Sequence, residues 1–177
     1  MEKSSVRMFI TFMTHAIVAV AIAWFLSFGY GQSIIESGQS MEPTIEVNDT
    51  VIIDKVTYHF RLPARYDVIA FPQPDNKEGY DIKRVIGLPG ETVQVADGRI
   101  YINGDVLSDR EAYDRCTLAG LASEPITLNE NEYFVLGDNR LASEDSRFDK
   151  MGNIKSSEII GRVWFRTNPI SKIGQIR

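Results

Sequence analysis

Hydrophobic and polar positions follow two different rhythms along this chain. From Met8 to Tyr30 the run MFITFMTHAIVAVAIAWFLSFGY carries no acidic or basic residue apart from His15, and it has about the length a helix needs to cross the hydrocarbon core of a bilayer. From Ser33 onward the apolar residues come in short runs rich in Val, Ile, Tyr and Phe, separated by Gly, Pro, Asn and Asp. That is the pattern of strands and turns. The runs predict strands at Thr50–Ile53, Asp67–Phe71, Ile82–Ile86, Thr92–Val95, Arg99–Ile102, Glu132–Leu136 and Ile159–Phe165. Asp97-Gly98 and Asn103-Gly104 bracket one of them, and the first pair is a strong hairpin signal. No 3.6-residue apolar period is sustained outside the N-terminal run. The remainder therefore reads as mainly β and mostly antiparallel, with longer loops over Pro72–Gly79 and Ser108–Asn131.

The N-terminal run has three readings: a membrane anchor, a cleaved secretion signal or a buried core helix. A secretion signal has an apolar core of about 7–15 residues followed by small residues at the cleavage site. This run is longer and ends in Trp24, Phe25, Phe28 and Tyr30, which favours the anchor. Lys3 and Arg7 precede it and the first basic residue after it is Lys55, so the Lys/Arg bias keeps the N-terminus in the cytoplasm. The expected organisation is a short cytoplasmic N-terminus with a single transmembrane helix in residues 1–31, and an extracytoplasmic β-rich domain in residues 32–177. Trp24 and Tyr30 suit the membrane interface, and apolar packing explains them equally well. His15 within the span reads as a tolerated polar side chain.

Of 177 residues, 44% are apolar, enough to build one ordinary core. The 19 basic and 24 acidic side chains give a net charge of −5, and no basic stretch is dense enough to track phosphates, so nucleic acid is not an expected partner. Cys116 is the sole cysteine. No intramolecular disulfide can form, and Cys116 reads as structural because DRCTLAG brings no histidine beside it. The basic side chains near the end, Arg162, Arg166, Lys172 and Arg177, read as a solvated tail rather than a lipid-binding patch.

A histidine-assisted nucleophile has poor support here. His15 lies in the apolar span, and His59 lies in TYHFRLP without an acidic neighbour placed by sequence. Two distant histidines and one cysteine offer no metal cluster, and no cofactor is expected. The remaining common route is a serine activated by a neutral lysine. An amine with pKa near 10.4 is only about one part in a thousand neutral at neutral pH, so such a lysine needs apolar surroundings and distance from carboxylates. Lys83 is a candidate because it lies in the strand-like DIKRVIGLPG with Val85 on the same face. Lys77 is in a loop. Taken alone, Lys83 reads first as a lysine at a sheet edge.

Three segments resemble the diagnostic segments of type I signal peptidases, in the same order: GQSMEPT at Gly38–Thr44, DIKRVIGLPGE at Asp81–Glu91 and GDNRLASEDSR at Gly137–Arg147. PARYDVIAF at Pro63–Phe71 is a fourth, weaker match. The resemblance implies an antiparallel sheet or distorted barrel of the signal-peptidase type and a membrane-bound serine endopeptidase that cleaves signal peptides from exported preproteins. Position by position it implies Ser40 as nucleophile, Lys83 as general base, and Ser143 as the hydroxyl that orients the lysine amine, with Ser146 as rival. Asp145 and Arg147 match an ion pair near the site; their spacing equally suits a solvated turn.

The chain departs from the family pattern in three places. Some members have a serine hydroxyl as second oxyanion donor two residues before the nucleophile, where this chain has Gly38, and a backbone N–H or Ser37 is expected to serve instead. Asp81 stands where an aromatic residue is more common, and in a strand it shares a face with Lys83; a twist or bulge is expected to turn it to solvent. Tyr66 stands where glycine is common, which bears on a turn.

The implied substrate is an extended segment with small residues before the scissile bond, added as a strand to a sheet edge. Met41, Val51, Ile53, Val68 and Phe71 read as core and, by resemblance, as pocket walls. Membrane lipid is the other expected partner. The competing readings are a peptidase dedicated to a conjugation or pilus system, a Ser/Lys self-cleaving repressor, which lacks support without a DNA-binding domain, and a catalytically silent membrane adaptor.

Overall fold

The computed structural model describes residues 2–73, 79–108 and 115–176 and, within the N-terminal helix, the side chains of residues 6–23. The expectations for Lys3, Trp24 and Tyr30 concern side chains outside that set. Lys77, Arg177 and parts of the two longer loops lie outside the described residues. The chain divides into two compact units, Met1–Gln32 and Ser33–Arg177.

The first unit is α1, Glu2–Tyr30. Its Val6–Ala23 stretch is long and apolar enough to cross a membrane, and none of it is buried. His15 spends Nδ1 on the Thr11 carbonyl one turn back, at 2.7 Å.

Strand follows strand from Gly31 onward. In chain order these are β1 (Gly31–Ile35), β2 (Thr50–Asp54), the one-turn helix α2 (Thr57–Phe60), β3 (Val68–Pro72), β4 (Tyr80–Gly87), β5 (Thr92–Ala96), β6 (Arg99–Ile102), β7 (Asp105–Val106), β8 (Ile126–Thr127), β9 (Glu132–Leu136), β10 (Ile154–Lys155), β11 (Gly161–Asn168) and β12 (Gly174–Gln175). The eight-stranded sheet runs β1-β2-β11-β3-β4-β9-β10, with β12 beside β11, and the smaller sheet runs β7-β6-β5-β8. Every described register is antiparallel. Neither sheet closes on itself, so the antiparallel half of the expectation holds and the barrel half does not.

Alternation along the central strands explains the layering, because neighbouring residues in a strand point to opposite faces. Val68 and Ala70 of β3 join a core with Met41, Ile45, Val51, Ile53, Ile82 and Val163. Ile69 and Phe71 join another with Val85, Tyr133, Val135 and Ile154. Phe134 and Leu136 of β9 face a third core built mainly from the smaller sheet, with Val93, Val95, Ile100 and Cys116. Buried on both faces, β3 and β9 read as continuous apolar runs rather than as alternating ones. The hairpin signals are realised: Asp97 and Gly98 have φ of 51° and 74°, Asn103 and Gly104 have 53° and 90°, and they join β5 to β6 and β6 to β7.

Candidate active site

The nucleophile candidate stands in the turn that follows β1. Within it the Glu42 N–H donates to the Gln39 carbonyl and the Ile45 N–H to the Met41 carbonyl, at 3.2 and 2.9 Å. Met41 and Ile45 are wholly buried, so their burial fixes the turn and leaves Ser40 at its rim. Lys83 comes from β4, opposite Ile69 of β3, with Val85 two residues along on the same face. It is 3% exposed. Its Nζ lies 2.9 Å from Ser40 Oγ, joining residues 43 apart in sequence. The Ser40 N–H has no partner among the described residues and remains available to a ligand.

Gly137 and Ser143 close the site from another side. A Cβ at Gly137 would collide with both Ser143 Oγ and the Ser40 carbonyl, so only glycine lets these segments approach. The Asn139 N–H donates to the Ser40 carbonyl at 3.0 Å. Ser143 is buried, but its Oγ has no hydrogen-bond partner among the described residues. The expected hydroxyl contact to Lys83 is therefore not formed here. Ser146 Oγ instead accepts the Val135 N–H at 2.9 Å, deep in the sheet.

Asp145 and Arg147 form a buried fork rather than a solvated turn. Arg147 Nε and Nη2 donate to the two oxygens of Asp145 at 2.8 and 2.9 Å. Nη2 and Nη1 also reach the Arg140 and Leu118 carbonyls, each at 2.9 Å. Asp145 accepts the Gly137 N–H at 3.1 Å. The pair thus shapes the 137–147 loop. Cys116 Sγ lies 3.5 Å from Arg147 Nη1; burial pushes its thiol up, against the pull of Arg147, which leaves it a poor nucleophile.

Asp81 does not turn away. The β3–β4 register runs unbroken from Pro72↔Tyr80 to Val68↔Arg84, and the irregularity in β4 lies further on, between Val85 and Gly87 against β9. With no bulge near it, the two-residue period keeps Asp81 on the Lys83 face. It lines a cleft of about 320 Å³ with Gly38, Gln39, Ser40, Gln73 and Lys83, and Gln73 Nε2 donates to its Oδ1 at 3.4 Å. A second cleft, of about 570 Å³, shares Gln73, Lys150 and Met151 with the first and extends to Phe71 and Ile154. Of the expected pocket walls, Phe71 lines this second cleft; Met41, Val51, Ile53 and Val68 are core. Tyr66 has φ of 72°, the left-handed conformation that explains why glycine suits this turn. Its carbonyl accepts from Arg84 Nη1 at 2.9 Å.

Sequence reading missed two features. Arg84, beside Lys83, makes a two-pronged pair with Asp138, the residue after Gly137. Glu36 is buried next to the nucleophile turn, and its Oε1 accepts the Gly38 N–H at 2.7 Å. The Glu-x-Gly spacing was the one available sign of that second contact. No group of residues suited to hold a metal ion occurs among the described residues.

A serine hydroxyl hydrogen-bonded to a buried lysine amine at an open cleft, with His59 exposed in α2, is the arrangement of a serine hydrolase of the Ser/Lys kind. Residues 7–167 match the family described as signal peptidase, peptidase S26, and the chain belongs to it. It is 40% identical over 146 residues to a signal peptidase I of Leptolyngbya laminosa, covering 78% of this chain and 69% of that one. To a probable signal peptidase I-2 of Synechocystis sp. it is 34% identical over 171 residues, covering 93% and 73%. A crystal structure of a signal peptidase I from Enterococcus faecalis matches 58% of this chain and 97% of that one, at 37% identity and a TM-score of 0.48. The activity that follows from membership is serine endopeptidase cleavage of signal peptides, with signal-peptide-bearing preproteins as substrates.

Proposed function

We propose that Ser40 is the nucleophile and Lys83 the general base of this peptidase, and that α1 anchors it in a membrane with its β domain on the extracytoplasmic side. The 2.9 Å contact between Lys83 Nζ and Ser40 Oγ supports the assignment most directly. Ser40 Oγ attacks the scissile carbonyl carbon and its proton passes to Lys83. The carbonyl oxygen becomes an oxyanion, which the Ser40 N–H is placed to receive. Lys83 then gives the proton to the departing amine, and the ester left on Ser40 is hydrolysed by a water that Lys83 deprotonates.

The substrate lies along β4. Strand β9 pairs only with Arg84–Gly87, so Tyr80–Lys83 runs past its end and offers an edge to which an extended peptide adds as a further strand. Side chains of that peptide fall alternately into the cleft and away from it. Support for the topology is Lys3 and Arg7 ahead of the apolar run, with no basic residue after it before Lys55.

Cleavage of a preprotein by the detergent-solubilised chain tests this reading, comparing the parent with Ser40→Ala and Lys83→Met. Both variants are expected to lose cleavage, and the parent's product is expected to begin just after a small residue. Cleavage surviving in folded Ser40→Ala would refute the assignment.

A further inference from the structure

The segment that carries Ser40 leaves β1 at Ile35 and is tied to the rest of the domain at one residue in particular. Glu36 donates its main-chain N–H to the Asp49 carbonyl at 2.9 Å, and its own carbonyl accepts the Asn48 N–H at 2.8 Å. The neighbouring turn is itself stiff: the Asp49 carboxylate accepts the Glu46 N–H at 2.9 Å and pairs with Arg166 at 2.6 Å. From this anchored position the Glu36 side chain reaches forward to the Gly38 N–H at 2.7 Å, two residues before Ser40. Glu36 is 9% exposed.

Position 38 has no side chain, and the space beside it is taken. A Cβ at Gly38 would stand 3.1 Å from Glu36 Oε1 and 3.9 Å from the Ser40 nitrogen. The Glu36 carboxyl and any side chain at 38 therefore compete for one small volume next to the unengaged Ser40 N–H. The charged groups that face the carboxyl are Lys83 and Asp81, both from β4. Burial pushes the carboxyl above its ordinary range, the Gly38 N–H and Lys83 pull it down, and Asp81 adds to the upward push.

We propose that Glu36 is a positioning residue for the nucleophile: its carboxyl fills the place of a side chain at position 38, clamps the Gly38 N–H, and so holds the Ser40 Oγ and N–H in line with the cleft. The Gly38 N–H is thereby committed to Glu36 and withdrawn from the oxyanion. This rests on the reading of Ser40 as nucleophile. A clamp of this kind acts on the chemical step rather than on binding, since displacing a reacting group by about an ångström costs on the order of 100-fold in rate.

The test is steady-state and single-turnover cleavage of a preprotein-derived peptide by the full chain in detergent. Glu36→Ala is expected to lower kcat by about 10- to 100-fold with KM unchanged. Glu36→Gln, whose amide oxygen still accepts from Gly38, retains the parent kcat. Gly38→Ser lowers kcat in the parent, where Glu36 occupies the space, and raises it in the Glu36→Ala background, where the space is free. A parent-like kcat for Glu36→Ala, a Gln variant as slow as the Ala variant, or independent effects of the Glu36 and Gly38 changes would each overturn the proposal. Ser40→Ala separates the two readings: cleavage that survives it removes the nucleophile assignment, whereas cleavage that it abolishes leaves a failed Glu36 result to count against the clamp alone.

Discussion

Arg84 and Asp138 are locked together with no exposed side-chain surface on either partner, each one residue beyond a residue of the site, Lys83 and Gly137. The guanidinium donates from Nε and Nη2 to both carboxylate oxygens, at 2.7 and 2.6 Å, and so fixes β4 to the loop that follows β9. Removing one member of such a pair leaves the other buried and uncompensated, at a cost of about 3–5 kcal/mol. Asp138→Ala is expected to lower the melting temperature sharply and to reduce kcat as well. Arg84→Lys is expected to fail likewise, because an ammonium cannot make the two-pronged contact. Thermal unfolding followed by circular dichroism checks both; a melting curve like the parent's would show that the pair is dispensable.

Lys83→Arg is the sharper probe of the base. The guanidinium is of similar reach but does not give up its proton and cannot act as a neutral base. Cleavage is expected to fall by about 10²–10⁴-fold, the range assigned to a positioned general base, with the fold preserved. Single-turnover rates measure this, and a loss under tenfold would move the base elsewhere.

Gly137→Ala introduces a methyl group against Ser143 Oγ and the Ser40 carbonyl. Overpacking of this kind costs about 1–3 kcal/mol, and relief requires moving the nucleophile turn. Both stability and kcat are expected to fall, whereas Gly90→Ala, with open space around its Cβ but φ of 79°, is expected to touch stability alone.

Asp67 supplies a stability signal in acid. Burial pushes its carboxyl up, but Arg61, the Ala64 N–H and Arg162 together hold it below the ordinary range, with Arg61 Nη1 at 2.8 Å and the Tyr58 hydroxyl at 3.1 Å. A carboxyl depressed in the folded state stabilises above its unfolded pKa, near 3.9, and that contribution is lost as pH falls through the lower folded value. Melting temperatures of the parent are expected to drop faster than those of Asp67→Asn below about pH 4. Parallel curves would rule out the linkage.

Much of this architecture is legible in the sequence because β-branched and aromatic runs bounded by Gly, Asn and Asp leave few alternatives. The predicted strands agree with β2, β3, β4, β5, β6 and β9 to within two residues at each end, and with β11 to within three. The two-residue strands β7, β8, β10 and β12 carry no periodicity to detect, and β1, GQSII, is hidden where an apolar helix runs directly into it. The Ser40 and Lys83 segments were found through resemblance, and their 2.9 Å approach depends on a register that no local pattern encodes. Arg84 and Asp138 are 54 residues apart, so their pairing is a property of the β4–β9 register. The i, i+2 spacing of Asp145 and Arg147 is shared by solvated turns; only burial under the Arg140 and Leu118 carbonyls distinguishes the two.

Strand β4 outruns its neighbour β9 by the four residues Tyr80–Lys83. A chain lying along that stub must arrive with its own N–H and C=O groups unspent, since a helix or a closed hairpin has already used them. The short stub thus discriminates by conformation before it discriminates by sequence. A bond inside a finished domain is out of reach however small its flanking side chains, while the same residues in a stretch still waiting to fold are not. The demand falls on the few residues around the scissile bond, which must reach the sheet extended whether or not the passenger beyond them has folded.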